Sequence, residues 1–196
     1  MRNIFFVLVC LFLPCFSFAQ IRQLDAHEHG AAQLMMAVEG KQLQIEFEVP
    51  SESLVGFEYF PEADKDREVF AATMAILSKP SKLFGIPDEA ECMSVGIKVS
   101  QTLLSGEVKH HEGGDDHDES KSGKDEDHDE HGEDVHSEFH SSYLWNCHHA
   151  DDLDSVQTRL MEVFPRIEEI RVQWIVEDRQ GAMELENQDG LIHGWR

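Results

Sequence analysis

Residues 31–50 read AAQLMMAVEGKQLQIEFEVP, and this stretch predicts a β-hairpin at the start of the folded chain. Its arms, 31–38 and 41–49, flank Glu39-Gly40, where the glycine supplies the turn. The second arm alternates apolar and polar residues, as a strand does when one face is buried and the other contacts solvent. Pro50 ends this strand, because proline lacks the backbone N–H group that a sheet ladder needs.

Working outward from the hairpin, the same periodicities predict six further elements. They are a helix at 64–78, strands at 92–103 and 140–147, a helix at 151–164, and strands at 170–176 and 182–186. The second helix is predicted from apolar residues at helical spacing, namely Leu153, Val156, Leu160 and Phe164. Val95, Ile97 and Val99 are predicted to share one face of the third strand, and Gly181 is predicted to make the turn before the last strand. Adjacent hairpins with interspersed helices indicate a single α+β domain with a largely antiparallel β-sheet and two helices.

A segment of unusual composition joins the third and fourth strands. Residues 106–140 contain seven histidines and fourteen Asp and Glu, but only three Lys and no Arg. Such a segment cannot bury enough apolar surface to offset the entropy of ordering it, so we predict a long disordered hairpin loop. The alternative is a solvated acidic loop whose histidines are incidental.

Neutral imidazoles and carboxylates are natural ligands of divalent transition metals, and this His/Asp/Glu-rich segment supplies both at short spacings. The candidate ligands are His110, His111, His117, Asp127, His128, Asp129, His131, His136 and His140. We expect several weak to moderate sites for Zn(II), because a flexible site loses ordering entropy when it binds. Other divalent transition metals, copper above all, fit the same ligands.

A second group of histidines lies outside this segment. His27 and His29 open the first strand, on one side of an extended chain, and His148 and His149 follow the fourth strand directly. A structured site built from His27, His29 and a later histidine would be the tighter one, provided that these residues meet in space. The alternative for the first pair is a frayed polar terminus, and His193 is interpreted as a capping or surface residue.

The first nineteen residues predict a secretory signal peptide. Arg2 precedes an apolar run at 4–16 that is too short to span a bilayer comfortably, and Ser17 and Ala19 provide the small residues before a cleavage site. Residues 20–196 are therefore predicted to form one exported domain. No later segment is apolar and long enough for membrane insertion, and a net charge of −23 argues against nucleic-acid partners.

Two cysteines, Cys92 and Cys147, remain after this cleavage. A disulfide is the default for such a pair in an oxidising compartment, and the alternatives are two buried thiols or two metal thiolates. If the third and fourth strands pair with these cysteines opposite each other, a disulfide would lock the base of the hairpin.

Catalysis is not predicted. The chain has no His-Glu-x-x-His, no Gly-x-Ser-x-Gly and no glycine loop of the kind that cradles phosphate. A His-x-His pair does occur in some metal-dependent hydrolases, but the sequence offers no second fixed cluster with an acid or base partner.

Short motifs in a fixed order resemble the ZrgA-type zinc-binding proteins. They are residues 26–30 (AHEHG), 54–58 (LVGFE), 91–92 (EC), 145–147 (WNC) and 164–170 (FPRIEEI), with a His/Asp/Glu-rich insert between the two cysteines. The resemblance implies zinc binding in the periplasm and a role beside an ABC-type zinc importer or its solute-binding protein. It also favours a functional role for His27 and His29.

Three hypotheses follow from these features. In the first, the protein captures and buffers Zn(II) and hands it to the transporter. In the second, it is an adaptor whose acidic loop binds a basic partner, with metal secondary. In the third, it is a metal sensor whose loop orders on binding zinc.

Overall fold

The computed structural model describes residues 30–103, 137–186 and 189–195. Within these ranges the strands are β1 (Ala31–Glu39), β2 (Gln42–Pro50), β3 (Phe84–Gly85), β4 (Cys92–Gln101), β5 (Glu138–Cys147), β6 (Ser155–Thr158), β7 (Glu169–Val176), β8 (Arg179–Leu185) and β9 (Leu191–His193). The α-helices are α1 (Ser51–Val55), α2 (Asp64–Leu77), α3 (Pro80–Leu83) and α4 (Leu160–Val163). Two 3-10 turns cover Asp88–Ala90 and Ala150–Asp152.

Six strands form the main sheet, in the order β4-β5-β2-β1-β7-β8. Neighbouring strands are antiparallel except for β1 and β7, which are parallel. A second, three-stranded sheet has the order β3-β6-β9. The α+β class with a largely antiparallel sheet is therefore confirmed.

The hairpin of β1 and β2 forms as the sequence predicts. Gly40 takes a positive φ of 57° in the turn, a conformation that costs glycine little. The alternating residues of β2 that were expected to be buried are all 1% exposed or less, namely Leu43, Ile45, Phe47 and Val49. Their polar neighbours lie on the opposite face of the sheet, so the sheet has one inner and one outer face.

The inner face of the main sheet packs against the helices and the second sheet to form one hydrophobic core. Tyr143 on β5 joins these layers, because its buried hydroxyl donates a hydrogen bond of 2.9 Å to the carbonyl of Leu77 at the end of α2. Its ring also contacts Phe84 of β3, with centroids 5.4 Å apart. On the far side of the core, the indole N–H of Trp195 donates to the carbonyl of Leu153 at 2.9 Å.

The predicted helix at 64–78 is confirmed as α2, whereas the predicted helix at 151–164 is wrong. That segment forms a 3-10 turn, then β6, then the single turn α4. Its four apolar residues are buried as expected, at 4% exposure or less. They are buried from different elements, because β6 pairs with both β3 and β9 and these backbone partners outweigh the helical spacing.

The turn predicted at Gly181 is also misplaced. The chain turns earlier, where Glu177 has a φ of 54°, and Gly181 lies within β8 opposite Trp174. A Cβ atom at this position would lie 2.6 Å from Cε2 of Trp174. The glycine therefore makes room for an indole ring and does not turn the chain.

The strand predicted at 92–103 is confirmed as β4, but the shared face of Val95, Ile97 and Val99 is interrupted. The register shifts between Ser94 and Gly96, which makes Val95 the additional residue of a β-bulge. At the other end of the His/Asp/Glu-rich segment, β5 begins at Glu138, two residues earlier than predicted. Residues 106–136 of that predicted loop lie outside the described residues.

Candidate metal centre

Strand pairing brings His140, Glu48 and Glu138 together on the outer face of the sheet. His140 on β5 lies directly opposite Glu48 on β2. Glu138 precedes His140 by two residues on the same strand, and side chains two residues apart point to the same face. One histidine and two carboxylates therefore project side by side.

The donor atoms of these three residues are close to one another. Nδ1 of His140 is 3.5 Å from Oε2 of Glu48, and Nε2 of His140 is 3.2 Å from Oε2 of Glu138. One ligand atom from each residue lies within 4.8 Å of the other two. Because a metal takes only one of the two imidazole nitrogens, one carboxylate must rotate toward that nitrogen. The partial exposure of all three side chains leaves room for this rotation.

The chemistry of the donor set fits zinc. Nitrogen and oxygen ligands lie about 2.0–2.2 Å from Zn(II), which usually has four ligands in a tetrahedron. Three protein ligands at a half-exposed position leave a fourth place for water or for an incoming ligand. We call the group Glu48, Glu138 and His140 the sheet cluster.

The surroundings of the sheet cluster carry an excess of negative charge. A shallow cavity of about 190 Å³ beside it is lined by further polar side chains, among them Glu46 and Lys98. Glu46 accepts a hydrogen bond of 2.8 Å from Nε2 of Gln44. The carboxylates of Glu46, Glu48 and Glu138 outnumber the ammonium group of Lys98, so the local electrostatic field favours cations.

The sheet cluster lies where the His/Asp/Glu-rich segment joins the sheet. The N–H of Thr102, just after β4, donates to the carbonyl of Glu138 at 3.0 Å. In return the N–H of Glu138 donates to Oγ1 of Thr102 at 2.8 Å. These two bonds close the β4–β5 hairpin at the end from which the segment leaves, and Glu138 belongs to both this end and the cluster.

The disulfide is present at the other end of the same hairpin. Cys92 and Cys147 are directly opposite each other on β4 and β5 and are joined covalently, 55 residues apart in sequence. The sequence predicted this position of the disulfide on the condition that the two cysteines lie opposite each other, and the structure meets that condition.

The predicted ligands fall into three groups. His140 is part of the sheet cluster. His148 and His149 follow β5 at the disulfide end, where Nε2 of His149 is 3.6 Å from Oε2 of Glu91. Within the described ranges, no third metal-ligating side chain lies close enough to His149 and Glu91 to complete a metal site with them. His193 is exposed on β9. The remaining candidates lie outside the described residues: His27, His29, His110, His111, His117, Asp127, His128, Asp129, His131 and His136.

Sequence reasoning missed Glu48 and Glu138 as candidate ligands. Each carried a signal, since Glu48 is a polar residue of the alternating strand and Glu138 is two residues from His140. What was lacking was the pairing of β2 with β5, which sets Glu48 beside His140. That pairing joins residues 88 to 104 positions apart and is not visible in local periodicity.

Comparison with protein families gives a match that covers most of the chain. The family model of the ZrgA family zinc uptake proteins matches residues 26–193. The chain belongs to the ZrgA family. Its role is therefore in zinc uptake, and the metal to be considered at the sheet cluster is zinc. No curated protein matches the chain. Among the described residues, no helix combines the length and apolarity required to cross a bilayer.

Proposed function

We propose that the protein captures Zn(II) in the periplasm, buffers it, and passes it to an ABC-type zinc importer or its solute-binding protein. The observation that carries the proposal is the sheet cluster at the base of the His/Asp/Glu-rich segment. In this account the segment collects several zinc ions weakly, and the cluster holds one ion more tightly. Its ligands project from paired strands, so less conformational entropy is lost on binding than in a flexible loop.

The composition of the chain supports capture. A net charge of −23 attracts divalent cations and raises their local concentration. The three donors of the sheet cluster also leave a coordination place open, so an incoming ligand from a partner can bind the same ion before it leaves. The signal-peptide pattern of residues 1–19 and the disulfide both favour an exported protein.

The N-terminal histidines are proposed as an additional source of ligands. Gly30 follows His29 directly and is fixed to the fold, because its N–H donates to Oγ of Ser53 at 3.1 Å. Its carbonyl accepts hydrogen bonds from the N–H groups of Glu168 and Glu169. The family match, which includes both residues, supports a functional role for His27 and His29.

A calorimetric zinc titration of the purified protein, expressed from the full-length sequence, tests this assignment. The double variant Glu48→Gln/His140→Gln should lose the tightest site, with affinity at that site reduced at least tenfold. A matched control is Glu184→Gln/His193→Gln, which alters the same residue types at exposed positions away from the cluster. Equal titrations of the two double variants would contradict the assignment of the cluster.

The contribution of the segment is tested separately. Replacing its histidines at 110, 111, 117, 128, 131 and 136 with Gln leaves the formal charge unchanged but should remove the weak sites. Affinity at those sites in the unaltered protein should also fall below about pH 6.5, since imidazole must be neutral to bind metal. If the weak sites survive both changes, carboxylates alone bind the metal.

Growth under zinc limitation connects these sites to uptake. A strain that lacks the protein should grow more slowly in chelator-treated medium, and the unaltered protein should restore growth. The Glu48→Gln/His140→Gln variant should restore it less well than the Glu184→Gln/His193→Gln control. Full restoration by both would show that uptake does not depend on the sheet cluster.

A further inference from the structure

The outer face of the main sheet carries apolar side chains at its centre. Among the described residues, no outer-facing side chain of the central strands β1 and β2 is buried. The solvated face of a largely antiparallel sheet is normally polar. Here Met35 on β1 and Ile175 on β7 are instead 44% and 55% exposed. Ala37 lies opposite Ile175, so the apolar patch crosses from one strand to the next.

These side chains line a groove of about 590 Å³ that extends from β2 across β1 and β7 to β8. Three amide side chains, Gln44, Gln173 and Gln180, add hydrogen-bond donors and acceptors to the apolar lining. A concave site of this size, with an apolar lining and a few polar groups, is typical of a binding site. We call it the outer groove.

The outer groove adjoins the sheet cluster. The smaller cavity beside the cluster shares Met35 and Glu46 with the groove, so these two side chains form a common wall. Glu46 precedes Glu48 of the cluster by two residues on β2, which corresponds to about 7 Å along a strand. A molecule that fills the groove therefore lies about one side-chain length from the metal ligands.

The charge of the surroundings restricts what can occupy the outer groove. Glu46, Glu48 and Glu138 lie at the end of the groove that adjoins the cluster, and Lys98 is the single basic residue in the cavity there. A second copy of the chain, with its net charge of −23, is repelled by this surface. The chain's own segment 106–136 is repelled as well, because its acidic residues greatly outnumber its lysines. The complementary occupant is a different protein, with an apolar side chain for the groove and basic side chains for the carboxylates.

We propose that the outer groove is the docking surface for the protein that accepts zinc from the sheet cluster, and that this acceptor presents an apolar side chain flanked by Lys or Arg. The inference rests on the proposed function, in which zinc is passed to an ABC-type importer or its solute-binding protein. The apolar side chain fills the groove between Met35 and Ile175, while a basic side chain pairs with Glu46.

Docking in the groove brings the acceptor's own metal ligands to the fourth coordination place of the ion. A ligand of the acceptor bonds to zinc there, and a ligand of the sheet cluster then dissociates from it. The two proteins must separate again after this exchange. The interface is therefore of the small, transient kind, which buries less than about 1,200 Å².

Biolayer interferometry tests the docking surface with two purified proteins. One is this protein, expressed from the full-length sequence, and the other is the solute-binding protein of the zinc ABC importer of the same organism. A chelator keeps both metal-free, so that association does not depend on whether the cluster binds zinc. Association should weaken at least tenfold as NaCl rises from about 50 to about 500 mM, because salt screens the contact between carboxylates and basic groups. No association, or association that salt leaves unchanged, would overturn the proposal.

Two groove variants and one control locate the contact. Ala37→Lys and Ile175→Lys should each weaken association at least tenfold, because each places an ammonium group in the apolar groove opposite a basic partner. Leu191→Lys makes the same kind of change at an exposed apolar position on β9, in the second sheet, and should leave association unchanged. Glu46→Gln should weaken association and reduce its salt dependence. Circular dichroism confirms that each variant is folded, and equal association of the groove variants and the control would overturn the proposal.

A calorimetric zinc titration of the same proteins separates this inference from the proposed function. The Ile175→Lys variant should bind zinc as the unaltered protein does and yet fail to bind the solute-binding protein. Normal association of this variant would overturn the docking surface. A missing tight zinc site in the unaltered protein would overturn the proposed function instead.

Other occupants of the groove give different results. If residues 20–29 of the chain itself filled it, the unaltered protein would not bind the solute-binding protein, and removing these residues would produce binding. If a second copy filled it, sedimentation equilibrium would show a dimer that the Ile175→Lys variant does not form. Either result would contradict the proposal.

Discussion

Removal of the disulfide is expected to destabilise the protein by about 4 kcal/mol at 25 °C. Cys92 and Cys147 are separated by 55 residues. On the chain-entropy relation, a cross-link that closes a loop of this length lowers the entropy of the unfolded chain by about 14 cal/mol/K, which corresponds to about 4 kcal/mol. Much of this closed loop is the His/Asp/Glu-rich segment, so the magnitude depends on the length of that segment.

A shortened chain isolates this entropic contribution. Removing the 31 residues 106–136 leaves a four-residue connection between Thr102 and Glu138, which suits a hairpin. It also shortens the separation of the cysteines from 55 to 24. The same relation then gives about 3.5 kcal/mol for the disulfide, or about 0.7 kcal/mol less than in the unaltered chain.

The assay is urea unfolding of four proteins: the unaltered chain, the Cys92→Ala/Cys147→Ala variant, and both of these without residues 106–136. Cys147 is 1% exposed, so its replacement also removes packing. This loss is common to both backgrounds and cancels in the difference between them. A total loss below about 1 kcal/mol, or a larger loss in the shortened chain than in the unaltered chain, would refute the reasoning.

Further predictions concern the core. Gly181→Ala should destabilise the protein by about 1–3 kcal/mol, because the new Cβ overlaps the indole of Trp174. Denaturant titration measures this loss. Gly85→Ala is the control, because its Cβ would make only an ordinary contact of 3.4 Å. Tyr143→Phe should cost about 1–2 kcal/mol, since the carbonyl of Leu77 loses its buried donor, and no measurable change in unfolding would contradict this. Burial raises the pKa of Tyr143 to about 12 from 10.0. The unfolded chain therefore releases this proton first, and stability should fall by up to about 2–3 kcal/mol as the pH rises from 10 to 12. The Phe variant should lack this part of the fall, which unfolding measured along that pH range would reveal.

Local patterns predicted those parts of the fold in which neighbouring residues determine the outcome. The alternation in β2 identified its buried face, because the period of two is a property of the strand itself. The disulfide between Cys92 and Cys147 was also predicted, on the expectation that the chain is exported and that these strands pair as a hairpin.

Other parts depend on contacts between distant residues. The helical spacing of four apolar residues correctly predicted that they are buried, namely Leu153, Val156, Leu160 and Phe164. This spacing contains no information about β3 and β9, which pair with β6. The segment was therefore wrongly predicted as a helix. The parallel pairing of β1 with β7 is likewise a long-range arrangement.

The candidate site shows the same division. Composition predicted ligands for divalent transition metals, with His140 among them, because histidine and carboxylate density is a local property. The role of Glu48 depends on the register of β2 against β5, and only the folded sheet supplies that register. Sequence therefore predicted transition-metal chemistry, while the structure shows which carboxylates lie beside His140.

Zinc-edge anomalous diffraction from crystals of the protein grown with one equivalent of Zn(II) tests the central claim most directly. The account predicts an anomalous peak within about 2.0–2.2 Å of one imidazole nitrogen of His140 and of oxygens of Glu48 and Glu138. A peak elsewhere on the protein, with none among these three residues, would contradict the assignment of the sheet cluster as the tightest zinc site.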